Sequence, residues 1–179
     1  MGADGGMICG VDAAEFGTAV HGLFEQVEWL GEELPRWLTE AQSAEERLVA
    51  AALQVPEVRA LFARQEGQVV YNEQNIDAIQ GENWISGTLD RLVVTHDADG
   101  APRAASIIDF KTDIRRGDTE AEQDAGLRDT HRAQMKTYHS LIRQAFHLPA
   151  EAVSVTLISC PRDGAPARAV RYSAAELQS

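Results

Sequence analysis

Phe16, Val20, Leu23, Val27 and Leu30 recur at steps of three and four residues, the spacing that lines one stripe of a helix. The pattern predicts an amphipathic helix from Glu15 to about Leu34, ended by Pro35. Ser43-Ala-Glu-Glu46 has capping-box spacing ahead of LVAAALQV, and Pro56 opens a further short helix to about Arg64. Three helical segments therefore come first. The period then changes. Residues 67–79, 84–95 (WISGTLDRLVVT) and 104–111 (AASIIDFK) are rich in β-branched and apolar residues and read as strands. A long helix from Glu120 or Arg128 to Phe146 follows, then an apolar strand, Ala152–Ser159, and a last strand through Arg168 to Tyr172. Helices first, then strands with one long helix between them, predict an α/β sandwich around a mixed central sheet.

Asp97-Ala-Asp-Gly100 carries turn chemistry between the second and third strands, which makes them a β-hairpin. Partners in an antiparallel pair keep a constant sum of residue numbers, so a turn near Asp99-Gly100 sets Asp90 roughly opposite Asp109. Residues two apart on a strand share a face, so Asp109 and Lys111 project together while Phe110 turns to the opposite layer. Two facing carboxylates repel and destabilise a hairpin unless a cation neutralises them. A divalent metal would do so.

The 179 residues fit one domain with a sizeable core: residues 1–10 Gly-rich and flexible, 11–66 helical, 67–179 an αβ core. No apolar run is long enough to span a bilayer and the start lacks a secretory pattern, so a cytoplasmic location is the default expectation. Cys9 and Cys160 are too few for a four-cysteine zinc site or an iron–sulfur cluster, and are expected to be reduced. No Gly-x-x-x-x-Gly-Lys-Ser/Thr loop occurs, which excludes an ATP site of that kind. The net charge of -12 opposes nucleic-acid binding at long range. Its distribution changes that picture: residues 1–82 hold 15 acidic and 4 basic side chains, whereas 83–179 hold 13 and 12. Arg115, Arg116, Arg128, Arg132 and Lys136 cluster after the Asp-Phe-Lys strand, where they could meet a phosphate backbone or form a solvated face of mixed charge.

The polar stretch 112–127 is expected to be a loop beside the site. Gln134 and Tyr138 are four apart on the long helix, hence neighbours on one face, and both carry hydrogen-bonding tips. His21 sits beside the apolar stripe of the first helix, four residues from Gly17 and Glu25. Taken singly, each of these fits an ordinary core residue as well as a site.

Taken in order, Gly17-Thr-Ala-Val-His21, Glu73, Gly87-Thr-Leu-Asp90-Arg91, Ile108-Asp109-Phe110-Lys111-Thr112 and Gln134-Met-Lys-Thr-Tyr138 resemble the RecB/AddA-type nuclease domain of the PD-(D/E)XK superfamily, from about Phe16 to Ser159. The resemblance implies a restriction-endonuclease-like fold, a mixed β-sheet flanked by helices with a helical segment in front. It implies His21, Asp90 and Asp109 as ligands of Mg²⁺ or Mn²⁺ with the Phe110 backbone carbonyl, and Lys111 as the residue that orients or helps activate the attacking water. Gln134 and Tyr138 would position DNA or buttress the site, and Glu73 would serve in a supporting carboxylate position or face solvent.

The function so implied is a metal-dependent deoxyribonuclease, an exonuclease acting on linear DNA ends in double-strand break repair and recombination, with a helicase domain or subunit as partner. The alternatives are a non-catalytic module that binds DNA ends or a partner, and another member of the superfamily such as a junction or restriction endonuclease. Ser173-Ala-Ala-Glu176 has capping-box spacing three residues before the last residue, which suggests a domain cut from a longer chain.

Overall fold

The computed structural model describes residues 11–178; the Gly-rich segment 1–10, with Cys9, lies outside them. Four helices come first: α1 (Val11–Glu25), α2 (Arg36–Thr39), α3 (Ala44–Ala52) and α4 (Pro56–Ala60). Strands β1 (Gln68–Gln80), β2 (Asn83–His96) and β3 (Pro102–Lys111) come next, then α5 (Glu120–Phe146), β4 (Val153–Ser159), β5 (Arg168–Arg171) and α6 (Ala174–Gln178). The five strands form one mixed sheet in the order β1-β2-β3-β4-β5, antiparallel except for β3 with β4, which run parallel across the α5 connection. The chain is thus an α/β protein with a mixed five-stranded sheet flanked by helices.

Each face of the sheet buries its own apolar layer. Val20, Phe24, Val49, Leu53 and Phe62 from the helical segment pack on Ile108, Phe110 and Ile158. On the other face Leu127, Met135, Tyr138 and Ile142 of α5 pack on Leu89, Leu92, Ile107, Val155 and Leu157. Strand β3 alternates between the layers, Ile107 to α5 and Ile108 and Phe110 to the helical segment, as a period of two requires. Among the described residues no helix is long and apolar enough to cross a membrane.

Two capping boxes form where the spacing predicts them. Ser43 Oγ accepts from the Glu46 N–H at 3.0 Å while the Glu46 carboxylate accepts from the Ser43 N–H, and these backbone donors hold the Glu46 carboxyl below its ordinary range. Ser173 and Glu176 repeat the arrangement at α6. A third box, Thr119 with Glu122, starts α5 at Glu120, so the loop expected over 112–127 ends at 119. Its polar sequence folds as helix because Arg168 bonds Glu120 and Asp124 in the first two turns.

Helix α1 ends at Glu25, nine residues before the predicted Leu34. Val27 and Leu30 are buried as the pattern requires, but in irregular backbone. Their carbonyl region is claimed by side chains from the sheet: Asn72 Nδ2 donates to Glu25 O at 2.8 Å, and Arg91 donates to Val27 O at 3.0 Å and to Glu28 O. Apolar periodicity reported burial here, and tertiary donors replaced the helical hydrogen bonds. Pro35 opens the short α2 instead of closing a long helix.

Arg91 is fully buried, with its guanidinium over the rings of Phe62 (4.4 Å) and Trp29 (5.2 Å). Burial pushes its pKa down to about 10, with Glu28 opposing the shift. We expect Arg91→Ala to destabilise the protein by about 3 kcal/mol or more, the scale for removing one partner of a buried charged network. Arg91→Lys should recover less than half of that loss, because an ammonium cannot fork to two carbonyls from one plane. Denaturant unfolding of the three proteins measures it; an Arg91→Ala loss below about 1 kcal/mol would show that the contact is dispensable.

Candidate active site

The β2–β3 register runs to Arg91 opposite Ile108, so Asp90 and Asp109 occupy the next step, where the two strands part. The Asp90 carboxylate enters that gap and accepts a hydrogen bond from the Phe110 N–H at 2.8 Å. A residue's carbonyl lies on the same strand edge as its N–H, so the Phe110 carbonyl faces the gap too. Lys111 O, one residue on, faces β4 and accepts from Cys160 N–H.

Side-chain alternation breaks at this point of the sheet. Leu89 and Leu92 are three apart, yet both pack in the α5 layer. Opposite the break, between the pairs Asn72–Arg91 and Gln74–Leu89, stands Glu73 with φ 47°, a left-handed conformation that costs a non-glycine residue ~1–2 kcal/mol. The irregularity turns Asp90 to the rim facing α1, where its Oδ1 lies 3.6 Å from His21 Nδ1.

Asp109 is 3 % exposed, and its Oδ2 lies 2.6 Å from Lys111 Nζ. Lys111 Nζ also reaches Gln134 Oε1 at 3.4 Å; Gln134 Nε2 donates to the Tyr138 hydroxyl at 3.1 Å, and that hydroxyl donates to Thr88 O at 3.0 Å. A continuous polar line thus runs from β3 through α5 back to β2, two residues from Asp90. Two glycines permit the close approach. A Cβ on Gly87 would sit 2.7 Å from Tyr138 Cε1, and one on Gly17 would sit 3.2 Å from Thr112 Oγ1. The second contact seats α1 on the end of β3 and brings His21, one turn later, edge-on to Phe110 with ring centroids 5.9 Å apart.

Burial and the neighbouring Asp90 carboxylate push the Asp109 carboxyl above its ordinary range, and Lys111 and His21 only partly offset them. The imbalance has the sign that a bound cation relieves. Two carboxylates, an imidazole and a strand carbonyl are a donor set suited to Mg²⁺ or Mn²⁺, so the residues fit such an ion in kind. Among the described residues no three His, Cys, Asp or Glu side chains converge closely enough to form a finished cage.

The other expected site residues fall in different places. Glu73 is exposed on β1. Tyr138 is 6 % exposed, and its hydroxyl supports Gln134. Arg132 pairs with Asp129 and approaches Glu176 at 4.0 Å, so its charge is locally compensated. Arg115 and Arg116 line a cleft of about 500 Å³ between the 113–116 segment and α5. His131, also in this cleft and absent from the expected set, has Nε2 3.3 Å from Asp113 Oδ2; burial, then Lys111, holds its pKa below the ordinary value. Its signal in the sequence was its position three residues before Gln134, on the same helical face.

The sequence model of the PD-(D/E)XK nuclease superfamily matches residues 5–178. No curated protein matches the chain.

The folded state binds the Asp109 proton more tightly than the unfolded chain does, so ionisation of Asp109 subtracts stability as pH rises from the ordinary carboxylate range through the raised value. Below that range, about 3.9, the subtraction is absent. Asp109→Asn should therefore raise the melting temperature at pH 7 in chelator by a few degrees, at ~2–4 °C per kcal/mol for this chain length. The gain should vanish toward pH 3. Thermal unfolding across that interval checks it, and a variant less stable than wild type at pH 7 would contradict the reading.

Proposed function

Because the chain belongs to the PD-(D/E)XK nuclease superfamily, whose members are metal-dependent nucleases, we propose that it is a deoxyribonuclease of the RecB/AddA type that trims linear DNA ends during break repair. The observation that carries this reading is the group at the β2–β3 parting: Asp90 held by the Phe110 N–H, and Asp109 held against Lys111.

His21, Asp90, Asp109 and the Phe110 carbonyl would hold Mg²⁺ or Mn²⁺, which supplies charge neutralisation at the phosphate and acidifies water at neutral pH. The protein's own groups do the remaining work. Lys111 Nζ, held between Asp109 Oδ2 and Gln134 Oε1, has a third donor for a water or a phosphate oxygen. Asp109 opposes its positive charge at 2.6 Å, so the amine is fixed as a point charge at the carboxylates. Gln134 sets its direction, and Tyr138, tied to Thr88 O, sets Gln134. The Phe110 N–H orients the Asp90 carboxylate, leaving Oδ1 toward His21. A helicase on another domain or subunit would deliver the strand, since this sequence carries no phosphate-binding loop of its own.

End-labelled linear single- and double-stranded DNA, incubated with Mg²⁺, Mn²⁺ or chelator, tests the proposal and reads polarity at the same time. Wild type should degrade the DNA only with a divalent ion. Asp109→Ala and Lys111→Ala should each lose about 10³-fold or more in rate, the scale for removing one group that stabilises transition-state charge, while Lys111→Ala still binds DNA. Undiminished metal-dependent cleavage by either variant would refute the assignment; binding of Mn²⁺ and DNA by wild type without cleavage would instead favour a non-catalytic end-binding module.

A further inference from the structure

Beyond Lys111 the sheet hands over to a cleft that the paired-carboxylate site does not use. Thr112 O accepts from the Arg162 N–H at 3.2 Å, which sets Arg162, in the turn three residues beyond β4, beside the residue after Lys111. The chain then leaves the sheet and returns into α5 through Gly117, whose φ of 133° and contact with Glu122 admit no side chain. Gly126 leaves the α5 surface low beneath this segment, with the Arg116 carbonyl passing 4.0 Å from where its Cβ would be. The result is the open cleft of about 500 Å³, within the size range of small-ligand sites. Its wall carries Arg115, Arg116 and Arg162, and its floor carries Thr130 and His131.

Charge in this cleft runs against that of the whole chain. Its lining holds three guanidiniums and one carboxylate, Asp113, with Asp124 and Asp163 acting on Arg115 from beyond the lining, in a protein with 28 acidic and 16 basic side chains. Neighbouring cations are neutralised: Arg168 by Glu120 and Asp124, Arg128 by Glu176, Arg132 by Asp129. Among the described residues neither Arg116 nor Arg162 has a carboxylate partner, and both are exposed. Arg115 is anchored through Nη2 to Pro166 O, while its Nη1 is shielded from solvent without a hydrogen-bond partner. Burial, then the adjacent Arg168, lowers its pKa, and Asp124 and Asp163 partly offset them. Exposed guanidiniums without a carboxylate partner, here Arg116 and Arg162, are the chemistry that recognises a phosphate oxygen.

We propose that this cleft is a phosphate subsite, in which Arg116 and Arg162 hold the phosphodiester one nucleotide away from the one cleaved. The subsite rests on the proposed nuclease function only for which phosphate is held. Its position fits: His131 lies one turn from Gln134 on the same face of α5, and Gln134 holds Lys111, so the subsite adjoins the reacting phosphate along the helix.

The test uses the full chain with Arg116→Glu and Arg162→Glu combined. Binding of a fluorescent twelve-nucleotide thymidine strand in chelator, across a salt series, should weaken at least tenfold. The slope of log affinity against log salt should become shallower by about 0.7, the value for one lost phosphate contact on single-stranded DNA. With metal, the wild-type preference for TpTpT, which has a neighbouring phosphate, over TpT, which has none, should collapse in the variant while the rate on TpT stays within threefold. Arg116→Gln with Arg162→Gln repeats the measurement if charge reversal lowers the melting temperature. Arg103→Glu, on an exposed part of β3 outside the cleft, should leave the salt slope unchanged. Wild-type affinity and slope in the double variant, or an equal loss in Arg103→Glu, would overturn the subsite. A wild type that cuts neither these substrates nor end-labelled linear DNA would refute the nuclease reading, and the chelator binding series would still decide the subsite.

Discussion

Phe110 is the residue on which the arrangement depends. Its ring stacks on Phe24 at 4.2 Å and nearly parallel, inside the layer between the helical segment and the sheet. Its N–H holds Asp90. With that ring buried on one face, the strand's period of two sends Asp109 and Lys111 to the other. A single apolar anchor thereby fixes both carboxylates and the amine. The aromatic contact, ~0.5–1.5 kcal/mol beyond the area it buries, is modest beside the cost of holding Asp109 buried next to Asp90, so the site also needs support from elsewhere.

That support comes from parts that look unrelated along the chain. Gly87 lets Tyr138 approach β2 more closely than a side chain would allow, and Gly17 seats α1 against Thr112 where a Cβ would be tight. Arg91, adjacent to Asp90, fastens the irregular segment after α1 to β2 and so keeps α1, with His21, over the end of β3. Glu73 holds a left-handed backbone opposite Asp90. Strain of this kind persists only where its surroundings impose it, and here it coincides with the break in alternation that turns Asp90 toward His21.

Features set by periodicity and local chemistry were legible in the sequence. The common side of Asp109 and Lys111, the opposition of Asp90 and Asp109, and the Ser43 and Ser173 capping boxes all rest on rules spanning a few residues. The mixed sheet was implied by element order. Features that stayed hidden depended on distant partners. Nothing near Val27 announces that Arg91, 64 positions away, will take its carbonyl, so the apolar stripe read as continuing helix. Arg132 read as free for a ligand although its partner Asp129 stands only three residues before it on the same helix; the further approach of Glu176 depends on the fold. His131 lacked a motif of its own, and only the folded chain sets Asp113 beside it. Tyr138 carried a polar tip that suggested contact with a ligand, while the absence of a side chain at Gly87 decides that it is packed inside.

The overall charge of -12 and the local cleft act over different distances. At physiological ionic strength the Debye length is ~8 Å, so exposed carboxylates of the helical layer farther than that from a strand at the end of β3 are largely screened from it. Charges within the cleft are not. A chain that repels polyanions in general and attracts a phosphate at one place disfavours indiscriminate binding along DNA, where affinity scales with the number of neutralised phosphates. On the proposed reading, the few unpaired guanidiniums beside Lys111 make occupancy depend on a strand end being brought to the site. The acidic balance then acts as selectivity, and it accounts for a nuclease domain with a small basic surface beside two carboxylates that are costly to keep together.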